Sequence, residues 1–370
     1  MMVCYDFVVG IPCRNNEKTI AHVVKQADLG IKQFFPKSKA LIVALDGKST
    51  DKTKENFLTQ ETSAEKDFVQ YTGISGKGSA LRKLFEISVE NRAPLNICLD
   101  SDLRSVSPLW VKNLAEPLKE ADYVTPFYNR YRYDGTITNQ ICFPLVYGVF
   151  CAGVRQPIGG DFGFTKKAAS VWLENGDWES DLAKFGIDIY MTTQAILNRL
   201  EIKQASLGAK IHGVKEPAGL TGMFREVCGT LFSAILTNKE KLSAFSTIKE
   251  VQVFGNIEQK AEPFEITPEL LKKTFSEGKE KYLSLWERLI PKHIKKVVGE
   301  ETINSQIWPE IVYSFITKGE VDSLLPLWAL RNHTYYFESK DLTDNEAEEL
   351  IIEQAKMFFE KRDVLIGALE

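Results

Sequence analysis

The sequence predicts an α/β fold, in which a mostly parallel sheet is followed by a mainly helical C-terminal region. Short apolar, β-branched runs at 7–11, 40–45 and 95–99 alternate with segments of helical periodicity at 17–31 and 77–89. Strands that alternate with helices indicate a parallel sheet with crossover helices on its faces. The runs are almost continuously apolar, which is typical of strands buried on both sides.

A change of pattern near Pro217 predicts the domain organisation. Beyond this residue, helical stretches follow one another without a strand-like run of comparable strength. These stretches are 223–245, 268–298, 308–316 and 344–366. We therefore predict an α/β domain over 1–216 and a mainly helical region over 217–370, which would complete an acceptor site and is a candidate dimer face.

The composition excludes several classes of protein. The 370 residues carry a net charge of −4, whereas a nucleic-acid surface needs a basic excess. The six cysteines are scattered and form no C-x-x-C pair, so we predict reduced thiols. The N-terminus lacks the basic start and long apolar stretch of a signal peptide. The most apolar segment, 141–154, is too short to span a bilayer, and we predict a cytoplasmic protein.

Ligands bind to open parallel sheets at the carboxyl ends of the strands, so the residues after each strand are the functional candidates. Pro12 and Arg14 follow the first strand, in a turn that a plain β–α connection explains equally well. Asp46 ends the second strand, where a carboxylate suits a hydrogen bond to a base or ribose. The segment 76–78 (G-K-G) opens a helix, where its glycines would let backbone N–H groups approach a phosphate and Lys77 would add charge. This short motif is weak and is not a Walker A loop.

A metal site is predicted at the end of the strand at 95–99. Asp100 and Asp102 are two carboxylates at one edge of the sheet, which are costly to place together unless a cation compensates them. Hard oxygen ligands suit Mg²⁺ or Mn²⁺ bridging a diphosphate. His212 follows an apparent strand at 204–211, and imidazole completes many Mn²⁺ sites. We predict Asp100, Asp102 and His212 as the metal ligands, although Asp-x-Asp turns also occur by chance and a lone His is usually structural.

Two further polar segments are candidates for contact with a sugar. Gly159, Gly160 and Asp161 form a glycine-rich turn where a sugar would approach the backbone. Asp188 lies near the start of a helix that opens at Gly186. A tight turn and a helix-start acid explain these residues equally well, so both interpretations stay open.

Taken in order, these motifs resemble those of the retaining GT-A glycosyltransferases that make mannosylglycerate, glucosylglycerate and glucosyl-3-phosphoglycerate. Each motif is common, but the ordered set is specific and covers roughly the first 230 residues. The likeness runs through 11–12 (I-P), 46–47 (D-G), 76–78 (G-K-G), 100–102 (D-S-D), 156–160 (Q-P-I-G-G), 186–188 (G-I-D) and His212.

The resemblance implies a metal-dependent hexosyltransferase with a nucleoside-diphosphate sugar as donor. The implied nucleotide-binding residues are Pro12, Arg14, Asp46 and Lys77. Asp100 would contact the ribose or a metal-bound water, and Asp102 with His212 would ligate the cation. Gly160 and Asp161 would lie against the donor sugar.

The resemblance also implies a small anionic acceptor. Asp188 would contact the sugar or orient the acceptor hydroxyl. Arg130 and Thr138 match the acceptor-binding positions, and a guanidinium pairs bidentately with a glycerate carboxylate. Thr136 stands where the phosphoglycerate enzymes carry an Arg that meets the acceptor phosphate, which favours D-glycerate. Arg132 would compensate for that loss, which keeps 3-phosphoglycerate open.

For the mechanism we expect front-face attack, because retaining enzymes of this family lack an evident side-chain nucleophile. Covalent catalysis by Asp188 or Asp161 is the less favoured route. Asp161 replaces the Glu often found at its position, so the donor sugar stays open. The segment 213–222 is a candidate lid.

Three other functions stay open. An inverting glycosyltransferase of polysaccharide synthesis would need a general-base carboxylate facing the acceptor. A sugar-nucleotide pyrophosphorylase expects a glycine-rich loop directly after the first strand, where this chain has P-C-R at 12–14. A non-catalytic binding protein is disfavoured because Asp100, Asp102 and His212 are all retained.

Overall fold

The computed structural model describes residues 4–211 and 217–369, with the backbone alone at 217–219 and 296–298. The chain divides into two compact units. The first comprises Met1–Asn129, Gln156–Glu216 and Val251–Glu262, and the second comprises Arg130–Arg155, Pro217–Glu250 and Pro263–Glu370. The domain boundary predicted from the sequence, 216–217, is one of the places where the chain passes between the units. The assignment of separate functions to two domains stays a prediction.

The described part of the first unit is built on an eight-stranded sheet. Its strands are β1 Phe7–Cys13, β2 Ala40–Asp46, β3 Glu65–Gln70, β4 Leu95–Cys98, β5 Tyr123–Tyr128, β6 Phe162–Phe164, β7 Ile202–Gly208 and β8 Val253–Phe254. They lie in the order β3-β2-β1-β4-β6-β5-β7-β8. β6 runs antiparallel to β4 and β5, and the other neighbouring pairs are parallel.

Helices cover the sheet of the first unit. They are α1 Ile20–Phe34, α2 Thr53–Thr59, α3 Lys77–Glu90, α4 Pro108–Ala115, α6 Lys166–Asn175 and α7 Ile187–Leu197, with 3₁₀ turns at Glu116–Lys119 and Asp181–Ala183. Because side chains alternate across a strand, Val9 and Ile11 of β1 join one core cluster with Trp110 of α4. Gly10 faces the other way, where a Cβ atom would lie 2.4 Å from the side chain of Leu84 in α3. The continuous apolarity of β1 thus reflects a helix on each face.

The reversed direction of β6 sets up the carboxyl edge of the sheet. Phe162 begins β6 and pairs with Cys98 at the end of β4. The turn that precedes β6 therefore lies beside the segment that follows β4. The residues after β7 reach the same edge because β7 is parallel to β5.

The second unit is helical in its described residues. Its helices are α5 Phe143–Gly148, α8 Pro217–Thr237, α9 Lys239–Ser243, α10 Pro268–Leu289, α11 Lys292–Gly299, α12 Trp308–Ile316, α13 Leu325–Ser339, α14 Asp344–Glu360 and α15 Arg362–Leu369, with a π-helix at Thr138–Cys142. The helix predicted at 308–316 is confirmed as α12. The stretch predicted at 268–298 is two helices, because Pro291 cannot continue α10.

The sequence pattern missed two elements in the C-terminal half. α13 was not predicted as a helix, and β8 is a two-residue strand that lies inside the region predicted to be mainly helical. No helix within the described residues is both long and apolar enough to cross a bilayer. All six cysteines are free thiols, and only Cys4 among them is exposed.

Candidate active site

Asp100 is at the centre of a buried charge cluster at the carboxyl edge of the sheet. Its Oδ1 lies 2.9 Å from Nζ of Lys77, and its Oδ2 lies 2.8 Å from Nζ of Lys210. Both lysines are largely buried, with 13% and 7% of their side chains exposed. Ion pairs of this length are among the strong hydrogen bonds, so one carboxylate holds both ammonium groups in place.

Lys77 begins α3, and its ammonium group connects three parts of the site. Besides Asp100, it lies 3.3 Å from Oδ1 of Asp188. It also donates a hydrogen bond of 3.1 Å to the main-chain oxygen of Gly160. The predicted site residues Lys77, Asp100, Gly160 and Asp188 are therefore brought together.

The glycines on either side of Lys77 pack against protein backbone. A Cβ atom on Gly78 would lie 1.8 Å from the carbonyl oxygen of Leu182, and one on Gly76 would lie 2.4 Å from that of Ala183. The N–H of Gly78 donates to the carbonyl oxygen of Lys184 at 3.0 Å. These glycines therefore allow the start of α3 to pack closely against the backbone at 182–184. The N–H of Gly78 is therefore committed, contrary to the expectation that it would face a phosphate.

Lys210 completes the cluster, although its sequence pattern did not identify it as a site residue. It follows β7, and its ammonium group lies 2.9 Å from Oδ2 of Asp161 and 2.6 Å from the carbonyl oxygen of Gly159. One signal in the sequence would have found it. Lys210 follows the end of a strand at the ligand-binding edge, two residues before the predicted ligand His212.

Asp161 is completely buried, and its carboxylate bonds to three protein groups. Its Oδ1 accepts a hydrogen bond of 2.8 Å from the N–H of Asp100. Its Oδ2 contacts Lys210 and accepts a hydrogen bond from the hydroxyl of Tyr128, which was also missed. The carboxylate thus positions Lys210 and the turn at Asp100. Direct contact with a donor sugar stays a prediction.

Gly160 is required by both its backbone conformation and its neighbours. Its φ of +94° lies in the left-handed region that other residues avoid. A Cβ atom at this position would lie 2.0 Å from Oδ2 of Asp100 and 2.7 Å from Nζ of Lys210. Glycine is therefore required at this position of the turn, because the backbone passes directly over the ion pair of Asp100 and Lys210.

Asp188 lies in the first turn of α7, with its carboxylate turned toward the cluster. Its Oδ1 is buried and has no hydrogen bond among the described residues, although Nζ of Lys77 is 3.3 Å away. Buried carboxylate oxygens are normally hydrogen-bonded. Its Oδ2 lies 3.5 Å from the same ammonium group, and the side chain is 13% exposed, so this carboxylate can accept a hydrogen bond from a ligand.

The cluster has an excess of negative charge. Burial raises the pKa of Asp100, but Lys210 and Lys77 outweigh it and hold the pKa well below its usual range. Burial and the charge of Asp100 raise the pKa of Asp161, against the effect of Lys210. Burial lowers the pKa of Lys77, but Asp100 and Asp188 keep it well above its ordinary value. Two ammonium groups therefore face three carboxylates.

The predicted nucleoside-binding residues lie at the ends of β1 and β2. Arg14 is exposed and donates a hydrogen bond of 3.1 Å from Nη1 to the hydroxyl of Ser75. Asp46 is 1% exposed and accepts from the N–H of Ser49 at 3.1 Å and from Nε2 of Gln70 at 3.0 Å. Asp46 thus orders the loop after β2. Its contact with a nucleotide, like that of Pro12, stays a prediction.

The predicted metal ligands are only partly described. His212 lies outside the described residues. Within them, no group of three or more His, Cys, Asp and Glu side chains is arranged to hold a metal ion. Asp102 is half-buried and makes no ion pair or side-chain hydrogen bond in the described part of the chain. A free carboxylate beside a cluster with excess negative charge fits a divalent cation.

The predicted acceptor residues belong to the second unit. Nη1 of Arg130 lies 2.7 Å from Oδ2 of Asp134, and Thr138 is buried at the start of the π-helix. Arg132 lies 2.8 Å from Oδ1 of Asp344 and donates to the carbonyl oxygens of Ser339 and Leu342. Arg132 therefore links α13 and α14. The expectation that it would compensate for Thr136 is not supported, because its guanidinium is committed to these helices.

Comparison with known structures defines the class of fold. The chain has the GT-A fold of nucleotide-sugar transferases, and the predicted fold class is confirmed. Neither a protein-family model nor a curated protein sequence matches the chain.

Particular structures that resemble the chain include glucosyl-3-phosphoglycerate synthase from Mycobacterium tuberculosis. Its complex with Mn²⁺, UDP and glucosyl-3-phosphoglycerate aligns with a TM-score of 0.50 and 23% identity, over 62% of this chain and 80% of that chain. Its complex with Mg²⁺ and UDP aligns with a TM-score of 0.50 and 23% identity, over 62% and 79% of the two chains. A mycobacterial protein aligns with a TM-score of 0.51 and 23% identity, over 62% and 74%.

Proposed function

We propose that this protein is a metal-dependent, retaining glycosyltransferase. It transfers a hexose from a nucleoside-diphosphate sugar to the hydroxyl group of D-glycerate. One observation carries the proposal: Lys77 and Lys210 are held by Asp100 at the carboxyl edge of a GT-A sheet. Ammonium groups that are fixed in a buried site stabilise charge that develops on a leaving group without further reorganisation.

The excess of negative charge in the cluster supports a requirement for a metal. A nucleoside diphosphate is itself anionic and would be repelled by an anionic site unless a cation intervened. Asp102, which has no partner among the described residues, would hold the cation together with His212. When bound, Mg²⁺ or Mn²⁺ supplies positive charge to the diphosphate leaving group. The glucosyl-3-phosphoglycerate synthase of similar fold has been crystallised with Mn²⁺ and with Mg²⁺, each together with UDP.

Side chains at the carboxyl edge of the sheet would orient the donor sugar nucleotide around the cation. Pro12, Arg14 and Asp46 hold the nucleoside end at the edges of β1 and β2. Lys77 and Lys210 supply positive charge near the departing phosphate, while their hydrogen bonds to the carboxylates and to the carbonyl oxygens of Gly159 and Gly160 keep the turn in place. Gly160 offers its backbone to the sugar, because no side chain intervenes there.

Asp188 orients the acceptor hydroxyl, since its carboxylate is 13% exposed and, among the described residues, pairs with Lys77 alone. The acceptor oxygen then bonds to the anomeric carbon on the face from which the diphosphate oxygen departs. The hydroxyl proton passes to that departing oxygen, so configuration is retained. Asp161 does not act as a nucleophile in this proposal, because it is fully buried and bound to Lys210, Tyr128 and the N–H of Asp100.

Acceptor choice follows from the second unit. Arg130 would pair with the carboxylate of glycerate, and Thr138 would contact the same ligand. Thr136 offers no positive charge to an acceptor phosphate, and Arg132 is bound to Asp344. These features favour D-glycerate. The second candidate is 3-phosphoglycerate, because the synthase of similar fold has also been crystallised with phosphoglyceric acid, with a TM-score of 0.50.

A panel of reactions tests the proposal. The protein is incubated with Mg²⁺ or Mn²⁺, a set of nucleotide sugars, and D-glycerate or 3-phosphoglycerate, and nucleoside diphosphate release is measured. We expect release that needs D-glycerate and is abolished by EDTA. Release with 3-phosphoglycerate alone would show that the proposed acceptor is wrong, and the proposed class of glycosyltransferase would stand. An inverted anomeric configuration in the product, or no release with either acceptor, would overturn the proposal.

A further inference from the structure

The Asp-x-Asp turn is held in place through its middle residue, Ser101, which is buried. The hydroxyl of Ser101 donates a hydrogen bond of 2.9 Å to Oδ1 of Asn16. Its carbonyl oxygen accepts a hydrogen bond of 2.6 Å from the hydroxyl of Thr19. Two side chains from the segment between β1 and α1 therefore bind both the side chain and the main chain of Ser101.

The hydroxyl of Thr19 serves this turn instead of its own helix. Thr19 is the residue before α1, where a threonine hydroxyl usually accepts a hydrogen bond from a main-chain N–H of the first helical turn. No such capping bond is made by Thr19, and its hydroxyl donates to Ser101. Helix capping therefore does not explain the contact, which stabilises the Asp-x-Asp turn rather than α1.

Asn16 is itself fixed in place. Its Oδ1 also accepts a hydrogen bond of 2.8 Å from the N–H of Arg14, and this identifies the atom as the amide oxygen, because a main-chain N–H can only donate. The N–H of Asn16 donates to the hydroxyl of Thr53, fully buried at the start of α2, at 2.7 Å. Its carbonyl oxygen accepts from the N–H of Ile20, the first residue of α1, at 3.0 Å. The segment that binds Ser101 is thus ordered by both neighbouring helices.

The two carboxylates beside Ser101 have different surroundings. Asp100 is bound to both lysines of the cluster, and its N–H donates to Oδ1 of Asp161. Asp102 is half-buried, and its carboxylate makes no ion pair or hydrogen bond with the described residues. Because the contacts of Ser101 fix the main chain that carries Asp102, they set the direction in which this free carboxylate leaves the turn. A ligand that is oriented in advance loses less entropy when it binds an ion.

We propose that Asn16 and Thr19 are positioning residues for the divalent cation. They hold Ser101, and through it the carboxylate of Asp102, in the orientation that the ion requires. This role rests on the metal requirement of the proposed function. Partners behind the direct ligands orient those ligands, and their loss typically weakens metal affinity by about 10–100-fold. The turn after β1, which the sequence pattern did not distinguish from a plain β–α connection, thereby contributes to metal affinity.

Titration of the full chain with Mn²⁺, followed by electron paramagnetic resonance of the free ion, tests the role of Thr19. Thr19→Val removes the hydroxyl but nearly keeps the shape of the side chain, and we expect it to weaken Mn²⁺ binding about tenfold. Thr19→Ser keeps the hydroxyl and should bind Mn²⁺ as the wild type does. Thr62→Val is the matched control, because Thr62 is also half-buried and its hydroxyl also donates to a carbonyl oxygen, that of Ala64. Its Mn²⁺ affinity should be unchanged.

Ser101→Ala and Asn16→Ala test the second bond of the turn from its two ends. Each variant should also weaken Mn²⁺ binding about tenfold. These variants keep the role testable if Thr19→Val does not fold, and circular dichroism checks the fold of each. Wild-type Mn²⁺ affinity in the folded Thr19→Val and Ser101→Ala variants would overturn the proposal.

Asp102→Asn separates the failure of this role from the failure of the proposed function. Loss of Mn²⁺ binding by Asp102→Asn, together with wild-type binding by Thr19→Val, would overturn the positioning role and leave the proposed metal site in place. Wild-type Mn²⁺ binding by Asp102→Asn, or no binding by the wild type, would overturn both.

The metal dependence of turnover gives a second readout. Thr19→Val should need about tenfold more Mn²⁺ for half-maximal nucleoside diphosphate release, while its kcat at saturating Mn²⁺ stays near that of the wild type. A substitution that only distorts the fold would lower kcat at every Mn²⁺ concentration. A lowered kcat with an unchanged requirement for Mn²⁺ would therefore contradict the positioning role.

Discussion

The two units use buried charge in different ways. In the first unit, Lys77 and Lys210 share three carboxylates at one edge of the sheet, and Gly160 passes directly over them. In the second unit, buried arginines are distributed among the helices, and each has its own partners. Arg331 bonds Glu338 and Gln354, and Arg362 bonds the carbonyl oxygens of Val149 and Leu242.

The difference separates a site from a scaffold. The N–H groups of such an arginine donate to groups on neighbouring helices, so the arginine offers little to a ligand. The cluster in the first unit is unbalanced, with three carboxylates around two ammonium groups and, among the described residues, an unpartnered Asp102 beside it. Perturbed and unbalanced charges mark functional sites more often than balanced pairs do. Substitutions in the two units should therefore change different properties.

The largest effect is expected for Asp188→Ala. Removing the carboxylate that orients the acceptor should lower kcat by about 10²–10³-fold with little change in folding. The measurement is steady-state nucleoside diphosphate release. Asp363→Ala is the matched control, because Asp363 also lies in the first turn of a helix but in the second unit. Wild-type kinetics for Asp188→Ala would remove the residue from the mechanism.

The opposite behaviour is expected for Arg331→Met. Its guanidinium is buried and satisfied by two side chains and the carbonyl oxygen of Ile303, so its loss should lower the free energy of unfolding by about 3 kcal/mol. Turnover of the folded fraction should stay near that of the wild type. Urea denaturation measures the change. Arg225→Met, which breaks an exposed pair with Asp322, should cost less than about 1 kcal/mol.

Gly160→Ala tests whether the ion pairs of the cluster are needed for transfer. The added methyl group would displace Asp100 or Lys210, so we expect transfer to fall about 100-fold and stability to fall by about 1–3 kcal/mol. Gly367→Ala is the control, since a Cβ atom there meets no heavy atom within 4 Å. It should raise stability by up to about 1 kcal/mol. Retention of full activity by Gly160→Ala would show that the ion pair is not needed.

The smallest effect concerns pH. The pKa of Asp100 is held below its unfolded value of about 3.9, so its stabilising contribution is complete above that pH and is lost as the pH falls below it. Lys210→Met removes part of this contribution. The difference in unfolding free energy between variant and wild type should therefore shrink by about 1–2 kcal/mol between pH 7 and pH 3. Asp161 adds to this shrinkage, because Lys210 counteracts the rise in its pKa and protonation of Asp161 at low pH removes the carboxylate that Lys210 neutralises. A difference independent of pH would contradict this assignment.

Some strands could not be predicted because local pattern was weak or misleading. β3 is an edge strand with the charged sequence E-K-D-F-V-Q, as exposed edges of sheets usually are. β6 has three residues, and its antiparallel direction is set by pairing with β4 and β5 rather than by its own composition. Without them, the sequence pattern left one edge of the sheet and the strand between β4 and β5 undefined.

The strands β1, β2 and β4, the helix α3 and the candidates near strand ends, such as Asp46, Lys77 and Asp100, could be predicted from the sequence alone. These depend on local periodicity and on the general rule that ligands bind at carboxyl ends. Three contacts became known from the folded structure alone: Lys210 joins Asp100, Asp161 is buried against Tyr128, and the glycines beside Lys77 pack against 182–184. Each of these contacts joins residues far apart in the chain. Their proximity depends on strand order and direction, which single-sequence patterns do not encode.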